Sequence, residues 1–220
     1  MGTMAMKSDL TWLIDKSRPI RYERSHLCVA RCSEGSVIFD FQGKHPRVDP
    51  TAFVAPNSLI IGDVDLGVGA NVWFFCLLRG DVNSIRVGAG CNIQDYCILH
   101  VARDRFPTVL EADAILGHRV TAHGCHIGRG ALIGMGAMVL NGARIGEESI
   151  VGAGAVVTPG AVIPPRTLAL GIPAKPVRDL MEKDFSMMNR TRESYRDLMQ
   201  VYKGSLLSEE MKNNQASDQN

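Results

Sequence analysis

Steps of six from Val109 meet Val109, Ile115, Thr121, Ile127, Ile133, Val139, Ile145, Val151, Val157, Ile163 and Ala169, nine of which are Val or Ile. Four places after these starts stands a small residue: Cys125, Ala131, Ala137, Ala143, Ser149, Ala155 and Ala161. Upstream the same step runs through Val54, Ile60, Leu66, Val72 and Leu78, and resumes through Val87, Ile93 and Leu99. The gaps from 78 to 87 and from 99 to 109 read as insertions of three and four residues, the second within Ala102–Pro107. Roughly nineteen hexads therefore lie between Val54 and Ala174, and such an internal repeat decides the fold class before any other feature.

Six residues fit neither the 3.6-residue turn of an α-helix nor a heptad. They fit a short strand plus a corner, three such units closing one triangular coil. The start residue and the small residue four places later then both point inward. Coils stacked about 4.8 Å apart make a prism roughly 29 Å tall from six coils. The reading is all-β, a parallel β-helix of hexapeptide repeats with a C-terminal α-helix. Gly is 22 of 220 residues, as tight corners require. No Phe, Trp or Tyr lies between Phe106 and Phe185, so small and β-branched side chains must build the core. Cys76, Cys91, Cys97 and Cys125 share the inward phase and read as packing residues. Without a secretory signal, all six cysteines read as thiols.

The expected organisation is an N-terminal cap over 1–50, the β-helix over 51–174, a helix over 175–204 and a flexible tail over 205–220. The helical spacing of Val177, Leu180, Met181, Met188, Tyr195, Leu198, Met199 and Tyr202 suggests that the helix covers the side or end of the prism, where open strand edges need protection. Lys+Arg is 24 and Asp+Glu 23, with no long run of one sign, which argues against a nucleic-acid surface. No 18-residue apolar stretch exists, so membrane insertion is not expected. The N-terminus carries no clear address. A cytoplasmic location is expected, and a mitochondrial one also fits.

Polar residues can be placed on the prism by counting hexads, with Val109 on face one, Ile115 on face two and Thr121 on face three. His100 and His123 then fall on face three, one coil apart, within reach of a shared metal ion. His118 lies at the corner leaving face two and cannot easily meet them within one chain. In a three-fold assembly of prisms, that corner can approach a neighbour's face three. A three-histidine site with ligands from two chains follows. Arg79 and Asp81 lie one coil below His100, and Gln94 and Asp95 one coil below His118.

Leu78-Arg79-Gly80-Asp81-Val82-Asn83-Ser84-Ile85, Asn92-Ile93-Gln94-Asp95, Leu99-His100-Val101 and Gly117-His118 through His123-Gly124-Cys125 resemble the γ-class carbonic anhydrase family. So do Ile133-Gly134-Met135-Gly136-Ala137 and Gly171-Ile172-Pro173-Ala174-Lys175. The resemblance covers about Pro50 to Leu180. It implies a left-handed coil, a homotrimer and three interfacial metal sites. The metal ligands it implies are His100, His118 and His123, holding Zn2+, with Fe2+ or Co2+ in some members. It implies reversible hydration of CO2 to bicarbonate by a zinc-bound hydroxide. Arg79 and Asp81 would hold the interface and order the site, and Gln94 would orient the hydroxide and substrate. A carboxylate such as Asp95 could fix an imidazole tautomer. Active family members also carry an acidic loop whose Glu moves protons. Here Val82 follows Asp81, and Val101–Phe106 contains no Glu.

Two other classes use the same architecture. A hexapeptide-repeat acyltransferase would rest on one catalytic His and coenzyme A, and a thioesterase activity is a further alternative. A non-catalytic assembly subunit would bind metal without turnover. His126, at a corner by the same count, and His26 and His45, outside the repeats, read as surface residues. Trp73, Phe74 and Phe75 read as packing at an interface or under the helix.

Overall fold

The computed structural model describes residues 29–30 and 37–217, with side chains for 38–205. Much of the expected N-terminal cap and the last three residues lie outside the described residues. Within the cap, strands occupy Val29–Ala30, Val37–Phe39 and Arg47–Val48.

Short parallel strands stack into three columns, the faces of a prism. Face two stacks Phe53–Val54, Asn71–Val72, Asn92–Ile93, Ile115–Leu116, Leu132–Ile133, Ile150–Val151 and Thr167–Leu170. Face three stacks Ile98–His100, Thr121–His123, Met138–Val139 and Val156–Val157 on the first half of Leu77–Val87. Face one stacks Thr108–Leu110, His126–Ile127, Arg144–Ile145 and Val162–Ile163 on the second half of that long strand.

Each face sends one ladder of side chains inward. Ile60, Leu78, Leu99, Ala122, Val139 and Val157 come from face three, and Val72, Ile93, Leu116, Ile133, Val151 and Ala169 from face two. Leu66, Val87, Leu110, Ile127, Ile145 and Ile163 come from face one. The interior of the coil holds no aromatic ring. Each large aliphatic chain removed from water contributes about 1.5–3 kcal/mol. Cys76, Cys91, Cys97 and Cys125 are buried free thiols between these ladders.

Paired residues are 18 apart through most of the coil, as Leu59 with Leu77 and Leu132 with Ile150. Three departures break the period. A bulge within Leu77–Val87 adds three residues, so Leu66 pairs with Val87. The loop after His100 adds five, so Ile93 pairs with Leu116. The next coil is one residue short, so Thr121 pairs with Met138. The apparent four-residue insertion is therefore five residues gained and one lost. Leu110, Leu116 and Ala122 are the inward ladder residues, in place of Val109, Ile115 and Thr121. In Val109-Leu110 and Ile115-Leu116 either neighbour can satisfy the apolar pattern, so the period alone does not fix the phase.

The segment expected to begin the helix is instead a strand. Lys175–Asp179 pairs antiparallel with Thr167–Leu170. Pro176 lacks an N–H and biases Lys175 towards extended backbone. Helix α1, Glu182–Ser217, starts later and continues past the expected end at 204. Asp184 Oδ2 accepts from the Met181 amide at 2.7 Å and from Arg178 Nη1 at 2.6 Å. These contacts cap the helix and hold the Asp184 carboxyl at about 2.

Helix α1 lies along the outer side of face two. Arg192 and Arg196 grip Asp113, and Lys203 reaches the Thr51 carbonyl at the first coil. Trp73 packs edge-on against Phe53, Tyr195 and Tyr202, with ring centroids 5.1–5.4 Å apart. Trp73 and Phe74 thus serve the helix, while Phe75 stacks on Tyr96 at an exposed corner. Among the described residues, no helix is long and apolar enough to cross a membrane.

Candidate metal centre

All three breaks in the period surround one edge of face three. Asp81 sits in the bulge, His100 ends its strand just before the five-residue loop, and His123 ends its strand at the shortened coil. The five residues gained in the loop after His100 bring His123 into direct register with His100, 23 residues on. The two ring centroids are 5.0 Å apart, and His100 Nδ1 lies 3.0 Å from His123 Nε2.

The far nitrogens decide the protonation. His100 Nε2–H donates to Asp81 Oδ1 at 2.9 Å, and His123 Nδ1–H donates to Asn141 Oδ1 at 2.6 Å. Both oxygens accept, so each ring carries its proton on the outside. His100 Nδ1 and His123 Nε2 then present lone pairs to each other, an arrangement that asks for a cation between them. Two nitrogens on one tetrahedral zinc lie about 3.3 Å apart, given Zn–N distances of about 2.0–2.1 Å. The pair fits that ion with a shift of a few tenths of an ångström.

Charge supports the same state. Burial, opposed by Asp81, pushes the His100 imidazole down towards its neutral form. Burial works against ionisation of Asp81, but hydrogen bonds from His100, Arg79 and the Val82 amide outweigh it and hold the carboxyl below its ordinary range. Arg79 donates to Asp81 Oδ2 with its own guanidinium partly exposed.

His118 stands elsewhere. Whereas His123 ends the Thr121–His123 strand, His118 lies in the turn before it, at the corner where face three begins. Its Nδ1 lies 2.9 Å from Asp95 Oδ2, its Nε2 lies 3.3 Å from the Tyr195 hydroxyl, and its side chain is 40% exposed. Gln94 is buried beside that corner, donating through Nε2 to Asn92 Oδ1 at 3.0 Å. The chain thus carries two half-sites, one of Arg79, Asp81, His100, His123 and Asn141, the other of Gln94, Asp95, His118 and Tyr195. Among the described residues, no three His, Cys, Asp or Glu side chains of one chain converge on a single ion.

His126 is a strand residue on face one rather than a corner residue, with Nε2 3.0 Å from Glu111 Oε1. His45 pairs with Asp40, and His26 lies outside the described residues. Asn141 and Tyr195 were missed in the sequence. Asn141 is 18 residues after His123, the period of the regular coil, and that spacing is its only signal. Tyr195 reaches the site through the docking of α1, which no local pattern encodes.

A family model described as bacterial transferase hexapeptide (six repeats) matches residues 124–159. Gamma carbonic anhydrase 2 of Arabidopsis thaliana, a mitochondrial protein, is 36% identical over 183 residues, 81% of this chain and 66% of the relative. A carbonic anhydrase of Geobacillus kaustophilus is 43% identical over 167 residues, 76% of this chain and 91% of the relative. The chain belongs to the γ-class carbonic anhydrase family. It spans only 36% and 34% of the length of two further mitochondrial γ carbonic anhydrases of the same plant. Similar chains also carry other descriptions. A crystal structure from Bacillus cereus, described as a candidate acetyltransferase, superposes with a TM-score of 0.76 at 42% identity, covering 77% of this chain and 98% of that one.

Proposed function

We propose that three copies of the chain form a ring that holds metal ions between prisms and hydrates CO2 reversibly to bicarbonate. The observation that carries this reading is the pair of inward lone pairs on His100 and His123, each ring fixed from behind by an oxygen acceptor. His118 of a neighbouring copy completes the ligand set, since the two half-sites lie on opposite edges of one face. Ile98 and Met138 are exposed on the outer side of that face, and Phe75, Tyr96 and Met135 at its His118 edge. Such an apolar strip favours burial against another copy.

Zn2+ fits the three nitrogen donors, and Fe2+ or Co2+ suits the same set. A cation held there supplies a Lewis acid that ionises water near neutral pH. Neutral imidazoles at His100 and His123 would leave such a cation its full charge. Asp81 orients His100 and Asp95 orients His118. Arg79 balances the charge of Asp81 at the rim. Gln94 arrives from the same corner as His118, held by the buried Trp73–Asn71–Asn92 ladder, and orients the attacking oxygen and CO2. With no Glu in the loop after His100, protons leave through buffer, so the rate rises with buffer concentration.

The test is stopped-flow CO2 hydration on chain stripped by chelator and reloaded with Zn2+. Hydration above the metal-free control, with about one metal per chain, supports the reading. Full metal loading without hydration makes the chain a non-catalytic metal-binding subunit. Acyl transfer from an acyl-coenzyme A by the metal-free chain would make it a transferase.

A further inference from the structure

The geometry points to Asn141 as a positioning residue: its side-chain oxygen sets the tautomer of His123 and so decides which nitrogen is offered to the ion. The metal half of this inference rests on the function proposed above; the tautomer half does not. His123 has two ring nitrogens, and only the one left unprotonated can bind a cation. The Asn141 Oδ1 contact to Nδ1, at 2.6 Å, is the shorter of the two contacts behind the histidine pair. It leaves Nε2 facing His100.

Asn141 is itself held in place. The Gly142 amide donates to the Gly124 carbonyl at 2.7 Å, and the Gly124 amide to the His100 carbonyl at 3.1 Å. Three successive coils are thereby tied together at His100, His123 and Asn141. The Thr108 hydroxyl links the same carbonyl and amide from the far end of the loop. Phe106, at the end of that loop, lies over both glycines. A Cβ on Gly142 would stand 3.1 Å from its ring, and one on Gly124 would stand 2.9 Å from its Cβ and 2.6 Å from Asn141 Oδ1. The two missing side chains leave the space that the Phe106 ring and the Asn141 amide fill. The loop is tied at its other end by Asn83, whose Nδ2 donates to the Ala102 carbonyl at 3.0 Å. The irregular coil thus builds a wall that fixes one amide oxygen behind one imidazole.

The experiment compares full-length wild type, Asn141→Leu and Asn141→Asp, labelled with 15N-histidine and stripped of metal. Two-bond proton–nitrogen correlations report the His123 tautomer, and a zinc-chelator competition reports Zn2+ affinity. Wild type shows the Nδ1–H form. Asn141→Leu, which keeps the size of the side chain, loses that preference and binds Zn2+ about tenfold or more weakly, the usual cost of losing such a partner. Asn141→Asp keeps an acceptor at the same reach and keeps the tautomer. Unchanged circular dichroism and assembly size assign the effect to His123 rather than to folding. A His123 that stays Nδ1–H in Asn141→Leu, or zinc affinity equal to wild type, overturns the role. If wild type binds no zinc, the proposed function falls, and the tautomer measurement still decides the role of Asn141.

Discussion

Replacing Gly124 by Ala separates backbone strain from damage to the metal centre. Gly124 has φ +56°, and a Cβ there meets Asn141 Oδ1 at 2.6 Å and Phe106 Cβ at 2.9 Å. Gly160 belongs to the same repeating pattern with φ +70°, and a Cβ there meets nothing within 4 Å. A left-handed alanine costs roughly 1–2 kcal/mol at either site. At Gly124 the Asn141 amide must also leave His123, which adds about 1 kcal/mol for the hydrogen bond. Displacement of Phe106 adds to that. Gly124→Ala should therefore cost about 2–4 kcal/mol and Gly160→Ala about 1–2 kcal/mol. Those values correspond to losses of roughly 5–15 °C and 2–8 °C in Tm for a chain of this size. The assay is thermal unfolding of metal-free protein beside zinc-chelator competition. Gly124→Ala should lose both stability and about tenfold or more in zinc affinity, while Gly160→Ala loses stability alone. Equal Tm losses with wild-type zinc binding in both would refute the argument.

The Asp184 carboxyl, held at about 2 by Arg178 and the Met181 amide, stabilises the start of α1. Its folded value lies below the ordinary ~3.9 of an unfolded Asp. The stabilisation is complete above about pH 4 and lost as pH falls towards 2. Asp184→Asn should unfold at lower temperature than wild type at pH 6, and the gap should close near pH 2; a gap independent of pH would contradict this. Burial pushes the Cys91 and Cys125 thiols up to about 12. At pH 8 neither should react with a thiol reagent until the chain unfolds, as peptide mass mapping would read; labelling of either in native protein would place it outside the core.

The period of six was legible because every coil must refill the same triangular interior, so the demand for small and branched chains repeats without interruption. The phase between Val109 and Thr121 was not, because two adjacent apolar residues satisfy it equally and only the closed coil selects one. The fifth residue of the insertion after His100, which that ambiguity hides, governs the site, since it carries His123 into register with His100. The pairing of those two histidines survives a miscounted phase because both lie near the end of a face-three strand. Asp95 was readable as a carboxylate one coil below His118. Asn141 was not, since an Asn beside a corner Gly serves many turns and its partner is a whole coil away. The strand at Lys175–Asp179 was hidden by an apolar spacing that also fits a helix, although Pro176 pointed the other way.

Mixed assemblies test the central claim most directly. Chains carrying His118→Ala keep the half-site of His100 and His123; chains carrying His100→Ala keep His118. Each variant alone should bind almost no zinc. Unfolded together in equal amounts and refolded, they should recover about a quarter of the wild-type zinc content, because random assembly in a three-fold ring sets two intact half-sites side by side about one time in four. Zinc binding in neither variant nor any mixture, while wild type binds fully, would contradict a site divided between two copies of the chain.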